Sequence, residues 1–237
     1  MATPSTLPTT APTSSGSNKG PPVNGSDAVH LHHESSLAPF NPTCDQASET
    51  ARKMLQLKDT DVLFDLGCGD ARMLLHAAAM TPGLLCVGIE LDPVFVQRGR
   101  EALKQLPEDV QRRVDIRQGD LLQLLKDYQE GKEEDATTAK QEEDSTGILG
   151  EDCRGLSLFR NATALYMFLL PKGIKKIQPL LNALAQHCGN DNNRNFRVVN
   201  YMFSVREWEP TMVDKTTKGD APIYLYNKFG NNKKDNE

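Results

Sequence analysis

Two carboxylates and two glycines carry the first chemistry legible in this chain: Asp65, Gly67, Gly69 and Glu90. Asp65 lies in the run Val62-Leu63-Phe64-Asp65-Leu66, which is otherwise apolar, and Gly67-Cys68-Gly69-Asp70-Ala71 follows at once. Such a run suits a central parallel strand buried on both faces. Glycines just after a strand make a turn without side chains, through which a ligand reaches the amides at the start of the next helix. A carboxylate at that strand end faces the ligand, disfavours a phosphate-rich cofactor and suits one carrying an ammonium group. Glu90 closes a second apolar run, residues 84–89, about 20 positions beyond the loop, where an acid can take a ribose diol.

Spacing removes two common alternatives. The dinucleotide fingerprint needs a small residue three positions after its second glycine, and Arg72 stands there. The Walker pattern needs Gly-Lys-Ser/Thr, which does not follow. What remains, Asp-x-Gly-x-Gly-x-Ala from Asp65 to Ala71 with Glu90 beyond it, resembles motif I and its partner acid in the class I, seven-strand S-adenosylmethionine-dependent methyltransferases. Ala71 stands where the third glycine is usual.

The flanking elements must hold these groups at one edge of a sheet. Thr43 and Gln46 form a capping box for a helix that turns Ala47, Ala51, Met54 and Leu55 inward. After the loop, Ala71, Leu74, Leu75, Ala78 and Ala79 repeat at helical spacing with Asp70 as the N-cap. Asp92-Pro93 opens the next helix, with Phe95, Val96, Gly99, Ala102 and Leu103 inward. A third strand at 114–117 leads to Asp120, and a helix starts at Leu121. The fourth strand spans 162–168. A helix carrying Ile174, Ile177, Leu181 and Leu184 follows, kinked or restarted at Pro179. Residues 196–204 make the fifth strand, and Trp208-Glu209-Pro210 pairs with residues 223–226 as an edge hairpin. Alternating strands and helices imply right-handed crossovers and a parallel sheet. The expected fold is α/β, a Rossmann-like three-layer sandwich whose mostly parallel seven-stranded sheet ends in an antiparallel C-terminal hairpin.

Composition bounds the rest. With 237 residues, 38% hydrophobic and 25% charged, the chain fits one catalytic-size domain plus disordered extras. Residues 1–38 are rich in Ser, Thr and Pro and read as a disordered tail, and residues 231–237 as a fraying end. The methyltransferase domain is expected over 39–230. No apolar run approaches the roughly 18 residues of a membrane helix, and no signal-peptide core is present, so an intracellular protein, with the cytoplasm favoured, is expected. Five scattered cysteines without a C-x-x-C pair argue for reduced thiols. His30, His32 and His33 lack partners at ligand spacing, so no metal site is expected. The net charge is -5, yet residues 127–152 hold ten acids against Lys132 and Lys140, a local balance of -8 that leaves +3 elsewhere. An acidic flexible insertion at 127–155 is expected, and neither balance describes a nucleic-acid surface.

Four pieces resemble a narrower group: Pro39-Phe40-Asn41-Pro42-Thr43, the segment from Phe64 to Asp70, Gly88-Ile89-Glu90-Leu91-Asp92-Pro93, and Leu169-Leu170-Pro171 with the late Trp208-Glu209-Pro210. They look like the small protein-lysine methyltransferases that modify the ATP synthase c subunit and the adenine nucleotide translocase. The resemblance implies S-adenosylmethionine as cofactor, a protein lysine as acceptor, and a mitochondrial site as the alternative compartment. It implies that Asp65, Gly67 and Gly69 hold the methionine moiety, Glu90 the ribose, and Asp120 with Leu121 the adenine. Asn41 and Thr43 close over the methionine end, and Tyr166 or Met167 lies near the methyl group. Trp208 either lines the acceptor channel or packs. A small-molecule methyltransferase and a non-catalytic cofactor-binding scaffold are the other readings. The three acids Asp65, Glu90 and Asp120, all present, favour an enzyme.

Overall fold

The computed structural model describes residues 41–130, 158–189 and 195–229. Pro39, Phe40, the tail at 1–38, the terminus at 231–237 and all of the acidic stretch beyond Glu130 lie outside the described residues. Seven strands form one sheet: β1 (Val62–Leu66), β2 (Leu85–Glu90), β3 (Val114–Gln118), β4 (Ala164–Met167), β5 (Arg197–Tyr201), β6 (Met212–Asp214) and β7 (Ile223–Tyr226). Their order is β3-β2-β1-β4-β5-β7-β6. The first five are parallel, while β7 runs antiparallel to both β5 and β6. The order reverses direction between β1 and β4, so a crevice opens beyond their carboxyl ends, where open α/β sheets bind ligands.

Strand alternation sorts side chains onto two faces. Leu63, Ala164, Tyr166 and Val199 join helices α1 (Asp45–Leu55), α2 (Arg72–Met80) and α3 (Pro93–Leu103), with the short α4 (Glu108–Gln111), in one core. Phe64, Leu66, Leu165, Met167 and Val198 build the other core with α5 (Leu121–Gln129) and α6 (Pro171–Gly189). Every residue of β1 is buried, as a strand covered on both faces requires. Among the described residues no helix is long and apolar enough to cross a membrane.

Several local expectations are corrected. Thr43 and Gln46 make no capping box: the α1 N-cap is Cys44, without a side-chain cap bond. Ala71, at φ 61°, takes the N-cap place of α2, because Asp70 is engaged by Arg72 at 2.6 Å. The buried face of α2 is Met73, Leu74, Ala77 and Ala78, so Ala79 turns outward, as Ala102 does on α3. By contrast Asp92 caps α3, accepting from the Val94 amide, with Pro93 at the first position. Helix α6 runs through Pro179 without restarting. Both Pro179 and Lys175, whose carbonyl the proline leaves without its helical donor, are exposed, so water can serve that carbonyl. The fifth strand stops at Tyr201, since Met202 adopts φ 68°. The edge hairpin is made by β6, not by Trp208-Glu209-Pro210. Trp208 is held elsewhere, its Nε1 donating to Asn182 Oδ1 on α6 at 3.0 Å and its ring packing edge-on against Tyr226 and Phe229.

Candidate active site

The glycine loop is built against the end of β2. The amides of Gly67 and Cys68 both donate to the Ile89 carbonyl, at 2.9 and 3.1 Å, and the Gly69 amide donates to Glu90 Oε2 at 2.8 Å. Loop amides expected to face a ligand are thus already taken by the neighbouring strand, and the glycines contribute clearance and conformation instead. Gly67 sits at φ 81°, and a Cβ there would lie 3.1 Å from Leu169 Cδ2. Gly88, inside β2, is a closer contact of this kind, because a Cβ would stand 2.6 Å from Cys68 Sγ. In the sequence that glycine enters only as the first residue of the 88–93 piece, although a lone glycine in a strand signals close backbone approach.

Three acids stand on successive strand ends. Asp65 pairs in register with Gly88 on one side and Tyr166 on the other, so its side chain points to the α1–α2 face. It is 2% exposed, and no donor bonds its carboxylate among the described residues. Burial first, then the Glu90 and Asp70 charges, push its pKa well above the usual carboxylate range. Each Glu90 oxygen accepts one main-chain amide, Oε1 from Asp92 N at 2.9 Å and Oε2 from Gly69 N at 2.8 Å. Asp120 is the N-cap of α5, its Oδ1 accepting from Leu122 N at 2.8 Å, and Leu121 beside it is buried in the α5–α6 core. Burial, reinforced by Asp65 and Glu90, pushes the Cys68 thiol up, so the loop cysteine is no thiolate nucleophile.

The remaining candidates separate. Tyr166 lies on the Asp65 face, and its hydroxyl meets Thr43 Oγ1 at 2.9 Å. Met167 points to the opposite face and is wholly buried in the α6 core. Asn41 is exposed at the start of the segment that leads to Thr43. Trp208 packs against α6, as described above, so packing is the role its contacts support. Beyond these, the tips of β4 and β5 carry an unforeseen aromatic pair, Phe168 and Tyr201, with ring centroids 4.7 Å apart. No local signal announces it, since the two residues meet only when the strands pair.

The donor chemistry fits a cofactor with an ammonium group and a ribose diol. Asp65 is a buried acceptor suited to a cation, the Glu90 and Asp120 carboxylates follow on the next two strands, and Arg72 is committed to Asp70. Among the described residues no cluster of His, Cys, Asp or Glu could hold a metal ion. No protein-family model matches the chain. A protein-lysine N-methyltransferase from Saccharolobus islandicus (strain REY15A) is 25% identical over 191 residues, covering 79% of this chain and 92% of that protein. The solved structure of an RNA methyltransferase from Salinibacter ruber, in complex with S-adenosyl-L-homocysteine, superimposes with a TM-score of 0.54 at 24% identity, covering 78% of this chain and 92% of the other. The sheet order, with β7 inserted antiparallel between β5 and β6, is that of the class I, seven-strand methyltransferase fold. On that fold, and with that relative, the chain is a methyltransferase of the S-adenosylmethionine-dependent class, and the chemistry of its loop and acids fits that cofactor.

Proposed function

We propose that the protein methylates the side-chain amine of a lysine in a protein acceptor. The observation that carries this reading is the character of the crevice rim at β4 and β5. Phe168 and Tyr201 meet there with tilted rings, half-buried Met202 follows β5, and Leu170, 38% exposed, precedes α6. An apolar, aromatic rim suits the aliphatic stem of lysine and favours the neutral amine, since removal from water disfavours the ammonium form. The likeness to a protein-lysine N-methyltransferase supports the same acceptor. The net charge of -5 and the lack of a basic stripe speak against a nucleic-acid acceptor.

The cofactor supplies an electrophilic methyl group on a sulfonium, so the protein's contribution is alignment and exclusion of water. In this reading Asp65 receives the ammonium group, and the clearance at Gly67 and Gly69 admits the methionine end. Glu90 takes the ribose hydroxyls while keeping the loop against β2. Asp120 uses its second oxygen for the adenine amino group, with Leu121 as an apolar floor. Asn41 and Thr43 cover the methionine end. The acceptor nitrogen needs no dedicated base if it arrives neutral, because its extra proton leaves to water after transfer.

Radiolabelled S-adenosylmethionine incubated with cell extract and the full chain tests the acceptor. Methyl-lysine recovered by hydrolysis of a labelled protein band is the expected result. The band should vanish with Glu90→Ala, which should also lose cofactor binding by calorimetry. Label confined to nuclease-sensitive material or to small molecules would sink the lysine assignment, and binding without any transfer would point to a scaffold.

A further inference from the structure

Tyr166 spends its hydroxyl in an unexpected direction. It is the third residue of β4, 2% exposed, and the register partner of Asp65. Among the described residues its hydroxyl hydrogen-bonds to Thr43 Oγ1, across 123 positions of sequence, and Thr43 is itself 6% exposed. Thr43 stands where a threonine could cap α1, yet it makes no such bond. The segment entering α1 is therefore placed by a tertiary contact rather than by its own helix. The connection between β6 and β7 holds the same turn from the other side, with Gln46 Nε2 donating to the Thr216 carbonyl at 3.0 Å.

The protonation of this pair has a consequence for binding. Burial above all pushes the Tyr166 phenol well above its usual value, so it keeps its proton at every working pH. A buried phenol has one proton to donate, and the Thr43 oxygen is its hydrogen-bonding neighbour. If the phenol donates, the Thr43 hydroxyl proton is left free, directly beside the carboxyl ends of β1 and β4. The cofactor's α-ammonium group, in the reading given above, lies on Asp65 at that same place, and its α-carboxylate is attached to the same α-carbon.

We propose that Tyr166 is a positioning residue that orients the Thr43 hydroxyl as a donor to the carboxylate of the bound cofactor. Tyr166 touches neither methyl group nor acceptor. It acts through Thr43, and it fixes Asn41 to Thr43 as the wall over the methionine end. This rests on the cofactor reading of Asp65.

Calorimetry on the full chain with two ligands tests it: S-adenosylhomocysteine, and its decarboxylated analogue, which keeps the ammonium group but lacks the carboxylate. The wild type should bind the first more tightly than the second. Tyr166→Phe and Thr43→Val should each weaken S-adenosylhomocysteine about tenfold, the scale of one hydrogen bond to a charged group, and leave the analogue within about twofold. The double variant should be no weaker than either single one, because both remove one donor. Thr43→Ser should restore binding. Unchanged affinity in both single variants overturns the proposal, as does equal weakening of both ligands, which would mark a purely structural wall. Thr43→Val keeps the test open should the tyrosine variant fail to fold. A wild-type chain that binds neither ligand overturns the cofactor reading itself, and this inference with it.

Discussion

Asp61 and Asp65 bracket the first strand, are 6% and 2% exposed, and have opposite surroundings. Asp61 meets Arg197 through two bonds, at 2.6 and 3.2 Å, the Thr163 hydroxyl at 2.6 Å and the Lys58 amide at 2.8 Å. Arg197 also donates to the carbonyls of Leu55 and Asn195. Burial raises the Asp61 carboxyl, but Arg197, Thr163 and Lys58 outweigh it and hold the pKa below the ordinary range. Asp65 has no such compensation: burial and two neighbouring carboxylates push in one direction. The amino end of the sheet is thus a closed polar knot. The carboxyl end keeps a buried carboxyl without such partners, the condition under which a cationic ligand gains most from arriving.

The contrast can be tested at each pole. Asp61→Asn should destabilise the protein by about 3–5 kcal/mol, since a buried arginine loses its partner, as read from urea unfolding. Asp65→Asn should do the reverse, raising the stability of the ligand-free protein by about 1–3 kcal/mol while weakening cofactor binding about 100-fold. A lower melting temperature together with intact affinity would remove the ammonium role.

The two variants should also separate with pH. Asp61 has a lowered folded-state pKa, so its stabilisation is full above the unfolded value near 3.9 and fades as pH falls toward the folded value. Asp65 has a raised one, so its cost is absent below about 3.9 and grows as pH climbs toward the folded value. The gap between wild type and Asp61→Asn should therefore close in acid. The gap for Asp65→Asn should close there too, but from the opposite sign. Parallel stability curves for the two variants would contradict this assignment. Smallest of all, Gly67→Ala should cost about 1–2 kcal/mol in stability, from its left-handed backbone and the Leu169 contact. A neutral effect by chemical unfolding would show that Leu169 yields.

Much of this architecture is legible locally. A run such as residues 62–66, apolar but for Asp65, suits a strand buried on both sides, and the two glycines after it suit a turn. The same local logic found Asp92 as a cap, because a residue two positions away supplies the bonded amide. It failed at Thr43, Gln46 and Asp70, where a side chain able to cap its own helix is claimed by another partner: Tyr166, the Thr216 carbonyl and Arg72. Propensity ranks what a residue can do nearby, and it is overruled when folding brings a better partner within reach.

Composition and spacing by themselves determined the class of fold, the loop, and the placement of Asp65, Glu90 and Asp120 at strand ends, because apolar periodicity and glycine position act over a few residues. Tertiary structure alone decided that the loop amides belong to β2, that Asp61 is neutralised while Asp65 is not, and that Tyr166 reaches Thr43. Those outcomes depend on which strands lie side by side, and burial sets the energy of a charge only once the neighbours are in place.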